Sequence, residues 1–357
     1  MRKFIKMTKI YKRKEEKKMS IVTIVGAGMM GSAMCVPAVD NGHEVRLVGT
    51  PLDRAIIAEA RETGYHNTLK RQLPEGVTCY QIEELEEALK DADLLIGGVS
   101  SFGVEWFAEN VLPVIPKSLP VLSITKGLHS EPDGTLTAFP DYLATKPGCD
   151  GLSLNAVGGP CISFELADRH HTVVAFCGNN MEDLVKIKNM LSTDYYHITA
   201  TTDVIGVETA VAMKNAYALG VSLAIGLTEA QNGEGCKEDY NPQAGLFAQS
   251  TKEMYKLIEL TGGQKEQILF GAGDLYVTVF GGRTRRIGTL LGRGLTFTEA
   301  REILAGVTLE SVAITQVVIE ALINKGVDLA EFPLLSHIYD MITKGITVDV
   351  PWSKFEC

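Results

Sequence analysis

Metal-ligand spacing is missing from this chain: its seven cysteines, at 35, 79, 149, 161, 177, 236 and 357, form no CxxC or related pattern. A structural zinc is therefore not expected, and thiols scattered in this way suit a reducing, cytoplasmic setting. Long apolar runs are lacking too. No stretch supplies the roughly eighteen or more uninterrupted apolar residues of a membrane span without glycines or a charge inside it, so no span is expected. Positive charge is scarce beyond the start. The first eighteen residues carry nine Lys or Arg against two Glu, a net +7 that leaves the rest of the chain at −17 where the whole is −10. So acidic a body argues against binding nucleic acid or an anionic membrane. Internal repeats and low-complexity linkers are also absent, so any domains should join directly with a cleft between them.

At 357 residues the chain exceeds the size at which a single core stops growing, and 45% hydrophobic with 22% charged residues is a globular composition, so two domains are expected. Residues 1–18 are read as a disordered basic tail or an over-extended start, with Met19 the natural first residue. A basic start ahead of apolar Ile21 to Val39 imitates a signal peptide, but cleavage there would remove the motif described next.

The run Ile21-Val22-Thr23-Ile24-Val25 leads directly into Gly26-Ala27-Gly28-Met29-Met30-Gly31 and then a small-residue helix. That is the strand–turn–helix context a dinucleotide fingerprint requires. Gly26 permits the tight turn, Gly28 lets the backbone approach a pyrophosphate, and Gly31 lets the helix pack on the strand. Strands are then predicted at 44–48, 77–80, 93–99, 120–125, 154–157, 172–176 and 196–200, with helices at 52–63, 83–91 and 104–114. The expected fold is α/β: a Rossmann-like, doubly wound parallel sheet with helices on both faces, spanning 19–205. From 206 to 357 the pattern becomes all-helical (206–227, 244–261, 265–269, 298–305, 311–325 and 332–343), the mark of a second, substrate-binding domain.

Ligands bind such sheets beyond the carboxyl ends of the strands. Lys126 stands at one strand exit, in Ser123-Ile124-Thr125-Lys126-Gly127, and by itself reads as a solvated loop lysine. Gly158-Gly159-Pro160-Cys161, with Glu165 beyond it, alone is merely a turn with backbone N–H groups to offer. The helix predicted over 206–227 is more telling, because its only charges are Glu208 and Lys214. A lysine buried there must snorkel, pair or do work, and desolvation beside a second cation such as Lys126 should lower its pKa toward general acid–base use. Gly271-Ala272-Gly273-Asp274-Leu275 is read as a glycine-rich turn carrying a carboxylate. Arg283-Thr284-Arg285-Arg286 is read as an anion anchor rather than a solvated basic helix start.

In this order the stretches GAGMMG, NGHEV, TKG, GGPCISFELA, GVETAVAMKNAYALG, GAGDL, RTRRIGTLLGRG and FPLLSHIYDMI resemble the soluble NAD(P)-dependent glycerol-3-phosphate dehydrogenases, from Met19 nearly to the end. The resemblance implies hydride transfer between a nicotinamide and C2 of dihydroxyacetone phosphate. Lys214 then matches the catalytic lysine, Lys126 the lysine contacting substrate and cofactor, and Asp274 the aspartate holding substrate near Lys214. Arg283, with Thr284 beside it, falls at the substrate phosphate, and Gly159 and Cys161 at substrate contacts. Cofactor contacts fall on Gly26, Gly28, Gly31, Met29, Met30, Thr50, Lys126, Ser163, Arg283 and Glu310. The implied partner is a small phosphorylated substrate, no metal is needed because the lysines meet the developing charge, and a homodimer is compatible with the helical domain.

The chain departs from the family pattern at Gly282-Arg283-Thr284, where Ser-Arg-Asn is usual, at Cys161, where a small hydroxyl residue is commoner, and at Val307 to Ser311. These leave open a larger phosphorylated polyol or ketose as substrate. Two further alternatives are a hydroxy-acid dehydrogenase and an NAD(P)-binding redox sensor without turnover. The cofactor is NAD or NADP. No carboxylate stands directly at the end of the second strand, Thr50 and Arg54 could take a 2′-phosphate, and Asp53 is placed one turn into the next helix.

Overall fold

The computed structural model describes residues 19–355. The basic segment 1–18, and with it the expectation of a tail or an over-extended start, lies outside them. Eight strands form one sheet: β1 Ile21–Val25, β2 Glu44–Val48, β3 Val77–Tyr80, β4 Leu94–Gly97, β5 Val121–Ser123, β6 Leu154–Gly158, β7 Thr172–Gly178 and β8 Tyr196–Thr201. Across the sheet they run β3-β2-β1-β4-β5-β6-β7-β8. Successive side chains point to opposite faces, so each central strand feeds two cores. Val22 and Ile24 of β1 and Leu94 and Ile96 of β4 enter one, while Val25 and Leu95 enter the other.

Strand order reverses at β1, between β2 and β4, and this opens a crevice at the carboxyl ends where the glycine turn lies. The sheet is parallel throughout except between β6 and β7, where Ala156 faces Cys177 in antiparallel register. The expectation of a wholly parallel sheet fails at that one joint for a physical reason. A parallel return needs a long crossover, usually a helix covering a face. The only helix between β6 and β7 is Ser163–Ala167, five residues long, so the chain turns back instead. Two small hairpins were also not expected: Tyr65–His66 with Arg71–Gln72, and Leu128–Ser130 with Leu136–Ala138.

On the sheet, α1 (Met29–Asp40) follows β1 and α2 (Arg54–Thr63) follows β2. Beyond β8 the main helices are α3 Val204–Ala212, α4 Lys214–Asn232, α5 Tyr240–Thr261, α6 Ile268–Val279, α7 Gly282–Gly292, α8 Glu310–Asn324 and α9 Pro333–Lys344. The single helix predicted over 206–227 is thus two, meeting at Met213, where the backbone relaxes to φ −74° and ψ −13°. Lys214 opens the second. The whole stretch Val204–Asn232 is long and apolar enough to cross a membrane, yet 83% of its most apolar window is buried inside the protein. α4 is the axis of the helical core, with Tyr217, Leu219 and Leu223 fully enclosed. A buried carboxylate, Glu253 of α5, ties this core to α9. It accepts from Tyr217 Oη at 3.0 Å, Gln249 Nε2 at 2.7 Å, and the Leu334 and Leu335 N–H groups at 2.8 and 3.0 Å.

Glycines bring α7 backbone-to-backbone against α4. A Cβ at Gly288 would lie 2.5 Å from the Leu219 carbonyl oxygen, one at Gly292 would lie 2.2 Å from that of Leu223, and one at Gly226 would lie 2.1 Å from that of Thr289. The contact matters because α4 begins with Lys214 and α7 with Gly282-Arg283. Gly288→Ala is expected to destabilise the fold by about 2–3 kcal/mol through overpacking. A urea midpoint equal to wild type would show that α4 and α7 are not in this contact.

Candidate active site

The three fingerprint glycines do three different things. Gly26 has φ +113°, and a Cβ there would sit 2.5 Å from the Gly98 carbonyl oxygen. At Gly31 a Cβ would come within 2.0 Å of the Gly26 oxygen, so α1 lies directly on the turn. Around Gly28 nothing lies within 4 Å, and the backbone faces open cleft. Gly28 caps α1, a twelve-residue helix whose first-turn N–H groups lack intrahelical partners. Open space at a helix N-terminus fits a pyrophosphate.

At the end of β2, Asp53 is not one turn into α2. It is the capping residue before the helix, and its Oδ2 accepts from Thr50 N at 2.8 Å, Thr50 Oγ1 at 2.7 Å and Ala27 N at 3.2 Å. Thr50 is therefore engaged in locking the strand end to the glycine turn. Arg54 is held by exposed Glu83.

A cleft of about 360 Å³ opens beside the turn, lined by Gly28, Met29, Met30, Lys126, Gly159, Cys161, Lys214, Arg283 and Glu310. Of the remaining residues singled out from sequence, Gly26, Gly31 and Thr50 support its rim. Ser163, at the start of its short helix, and Thr284, in the first turn of α7, are buried outside the lining. Asp274 is fully buried just behind it.

Asp274 organises the site. Its Oδ1 accepts from Lys214 Nζ at 2.8 Å and its Oδ2 pairs with Lys126 Nζ, which also donates to the Gly159 carbonyl at 2.8 Å. Lys126 is thus no solvated loop residue. The lysine side chains keep 15% and 18% exposure, enough for their tips to reach the cleft. The turn predicted at 271–275 is in fact the middle of α6, and its glycines are packing devices. A Cβ at Gly271 would lie 2.7 Å from the Ala210 oxygen, and one at Gly273 would lie 3.2 Å from the Pro160 ring. They seat α6 deep enough for Asp274 to pass between the lysines.

The two ammonium groups part company electrostatically. Burial, opposed by Asp274 and reinforced by the Lys214 charge, pulls Lys126 below the ordinary lysine value. Burial pulls on Lys214 as well, but the charge and hydrogen bond of Asp274, followed by the charge of Glu310, outweigh it and hold Lys214 above that value. The expected lowering of Lys214 is therefore reversed, because sequence alone did not put a carboxylate on it. Burial also pushes the Cys161 thiol up to about 11, so it stays neutral beside Lys126.

Arg283 alone of the 283–286 cluster reaches the cleft. Arg285 is taken by Glu238 at 2.6 Å and the Val279 carbonyl at 3.1 Å. The cluster does start a helix, but it is not a shared anion anchor. Sequence reasoning missed Asn215, which donates to Glu310 Oε2 at 3.2 Å, and Ser100 and Ser101, which also line the cleft. Each had a signal. Asn215 adjoins Lys214, and the serines follow a buried strand at its carboxyl end.

Fold and site together define an NAD(P)-linked oxidoreductase in which a carboxylate-bridged lysine pair faces the dinucleotide cleft. Two family descriptions match the sequence, NAD-dependent glycerol-3-phosphate dehydrogenase N-terminus over residues 21–184 and C-terminus over 203–352. An NADP(+)-dependent glycerol-3-phosphate dehydrogenase of Archaeoglobus fulgidus is 34% identical over 331 residues, covering 92% of this chain and 97% of that one. A glycerol-3-phosphate dehydrogenase [NAD(P)+] of Shouchella clausii is 27% identical, covering 92% and 93%. Among solved structures, glycerol-3-phosphate dehydrogenase of Coxiella burnetii shares the fold with a TM-score of 0.79 at 24% identity, covering 92% and 96%. The chain belongs to the NAD-dependent glycerol-3-phosphate dehydrogenase family, oxidoreductases acting on a CH–OH group. Membership, with the lysine pair in place, favours turnover over the non-turnover sensor.

Asp274→Asn would leave two buried ammonium groups without their shared counter-charge. Reductive kcat/KM should fall about 10³-fold, the equivalent of about 4 kcal/mol. Both lysines should lose protons more easily, so the alkaline limb of the pH–rate profile should move to lower pH. A variant with wild-type rate and profile would remove Asp274 from the centre of the site.

Proposed function

We propose that the protein is a cytoplasmic enzyme interconverting dihydroxyacetone phosphate and sn-glycerol 3-phosphate. The observation that carries this reading is the Lys126–Asp274–Lys214 bridge, whose aspartate is buried behind the dinucleotide cleft while both lysines and Arg283 line it. A bound nicotinamide would supply or accept the hydride at C2. Gly28, Met29 and Met30 would hold the dinucleotide through the α1 N-terminus, Gly26, Gly31 and Thr50 would shape that turn, and Glu310 would complete the cofactor's surroundings, with Ser163 buried behind the lining.

Lys214, kept protonated by Asp274 and Glu310, donates its proton to O2 as the alkoxide forms, and removes it in the oxidative direction. Lys126, fixed by Asp274 and the Gly159 carbonyl, directs a second cation at the same oxygen and the phosphate side of the substrate. Arg283 anchors the phosphate, for which a planar guanidinium is suited. Cys161 presents a neutral thiol whose Sγ lies 3.9 Å from Met30 Sδ, so this wall is apolar where a hydroxyl would be polar.

Initial rates of NADH and NADPH oxidation with dihydroxyacetone phosphate, beside a panel of longer ketose phosphates, test the reading and name the cofactor. Fast turnover of dihydroxyacetone phosphate alone supports it. A longer ketose phosphate that reacts faster would assign the substrate change to Gly282, Thr284 and Cys161. No reaction with any of them, while cofactor still binds, would defeat the proposal. Lys214→Ala is expected to lower kcat by about 10³-fold with cofactor affinity unchanged. Arg283→Ala should instead raise KM by about 10- to 100-fold, the loss of a charge-assisted phosphate contact; equal KM values for the variant and wild type would free Arg283 of that role.

A further inference from the structure

Glu208 is the second charge of the apolar stretch that carries Lys214, and the reaction as derived makes no use of it. It sits on α3, fully buried, and neither of its carboxylate oxygens has a hydrogen-bond partner. Other buried carboxylates are treated differently. Asp274 receives two ammonium groups, Glu253 four donors, and Asp203 the N–H groups of Gly206 and Gln264. A carboxylate enclosed with no well-formed hydrogen bond and no cation in contact, and with only the Gly127 N–H directed toward it, does not hold its charge; it keeps a proton instead.

The groups acting on it come from four directions. Lys126 and the Gly127 N–H belong to the loop after β5, Asp274 to α6, Asp141 to the helix Phe139–Ala144, and Cys177 to β7. The paired residues of β6 and of Leu136–Ala138, against which α3 also packs, bring no titratable side chain, and on α5, which packs on α3 as well, Glu253 is held by its four donors, Lys256 by Glu331 and Glu259 by Lys265. His129 of the facing hairpin is stacked on Tyr142 with ring centroids 3.8 Å apart. Burial is the largest influence on Glu208, opposed by the charge of Lys126 and the dipole of the Gly127 N–H, and it pushes the carboxyl up to about 8.

We propose that Glu208 is a positioning residue for Lys126, a buried carboxyl that keeps its proton and so adds no third negative charge to Asp274 and Glu310 around the two lysines that must receive an anionic substrate. Ionised, Glu208 would set three carboxylates against the two ammonium groups and draw the Lys126 ammonium away from the cleft. The enzyme's grip on a phosphorylated substrate then weakens as pH rises through the Glu208 ionisation. The inference rests on the proposed function for the identity of that anion.

Glu208→Gln imitates the protonated form and decides the matter. At pH 7 its KM for dihydroxyacetone phosphate should stay within about 3-fold of wild type. Between pH 7 and 9 the wild-type KM should climb by about 10-fold with an inflection near 8, and the variant should lack that inflection. A KM that rises identically in both proteins overturns the proposal. Stability supplies a readout independent of turnover. The folded protein holds the Glu208 proton where the unfolded chain, with an ordinary glutamate, has lost it. Wild type therefore loses stability as pH rises from about 4.5 to about 8, relative to Glu208→Gln. A difference in unfolding free energy that stays flat across that range overturns the neutral carboxyl.

If glutamine prevents folding, infrared spectra of the wild type with isotopically labelled glutamate replace it. A protonated-carboxyl band that disappears near pH 8 supports the proposal, and the absence of such a band overturns it. If wild type turns over no ketose phosphate, the proposed function fails by itself. Protection against thermal unfolding by inorganic phosphate, compared between the two proteins from pH 7 to 9, then reads the same anion site.

Discussion

One buried carboxylate with two ammonium groups on it sets the terms for much of this molecule. Taking three charged groups out of water together is tolerable only where each is held in close, well-directed contact. The three come from the loop after β5, the start of α4 and the middle of α6. The bridge is therefore a geometric demand on the whole chain: the sheet and the helical part must meet with their backbones placed closely enough for Asp274 to reach both lysines. The relaxed turn at Met213 belongs to the same demand, since it is there that Lys214 leaves the apolar run and meets the aspartate.

Glycine meets the demand for proximity. Gly271 and Gly273 let α6 close on α3 and on the Pro160 turn, while Gly288 and Gly292 let α7 close on α4. The same economy of side chain operates at the fingerprint, where Gly31 lets α1 close on the turn it follows. Cleft geometry is thus fixed by backbone contacts, which yield less than contacts between flexible side chains. Function then depends on positions that never touch a ligand.

What could be read in the sequence divides along the same line. Strand period, the fingerprint and the shift to helical patterning are local signals, and they placed all eight strands of the sheet and the order of elements correctly in outline. The antiparallel joint at β6–β7 turned on the shortness of one connecting helix, a boundary that periodicity reads poorly. Gly271-Ala272-Gly273 looked like a turn because glycine's local meaning is flexibility; its meaning here is long-range, a close approach by α3 and Pro160. Lys214 was conspicuous as a charge in an apolar run, but the sign of its shift depended on Asp274, sixty positions away, and so could not be inferred from Lys214 and Lys126 alone. Arg283 to Arg286 looked like one basic cluster, yet a helix sends successive side chains in different directions, and only Arg283 faces the cleft.

The electrostatic contrast between body and cleft is the last consequence. Outside its first eighteen residues the chain carries −17, a field that repels a phosphorylated substrate at long range. Salt shortens that repulsion to about 10 Å or less under ordinary conditions, whereas in the cleft Lys126, Lys214 and Arg283 act at contact distance with little water between. Local positive charge therefore prevails at the place where the anion must bind. For that to hold, buried acids around the lysines must be either paired or silent. Asp274 is paired, and its charge is what makes two adjacent ammonium groups tenable. Removing it would weaken the cations themselves, so in this site the counter-ion is a condition for positive charge as much as a subtraction from it.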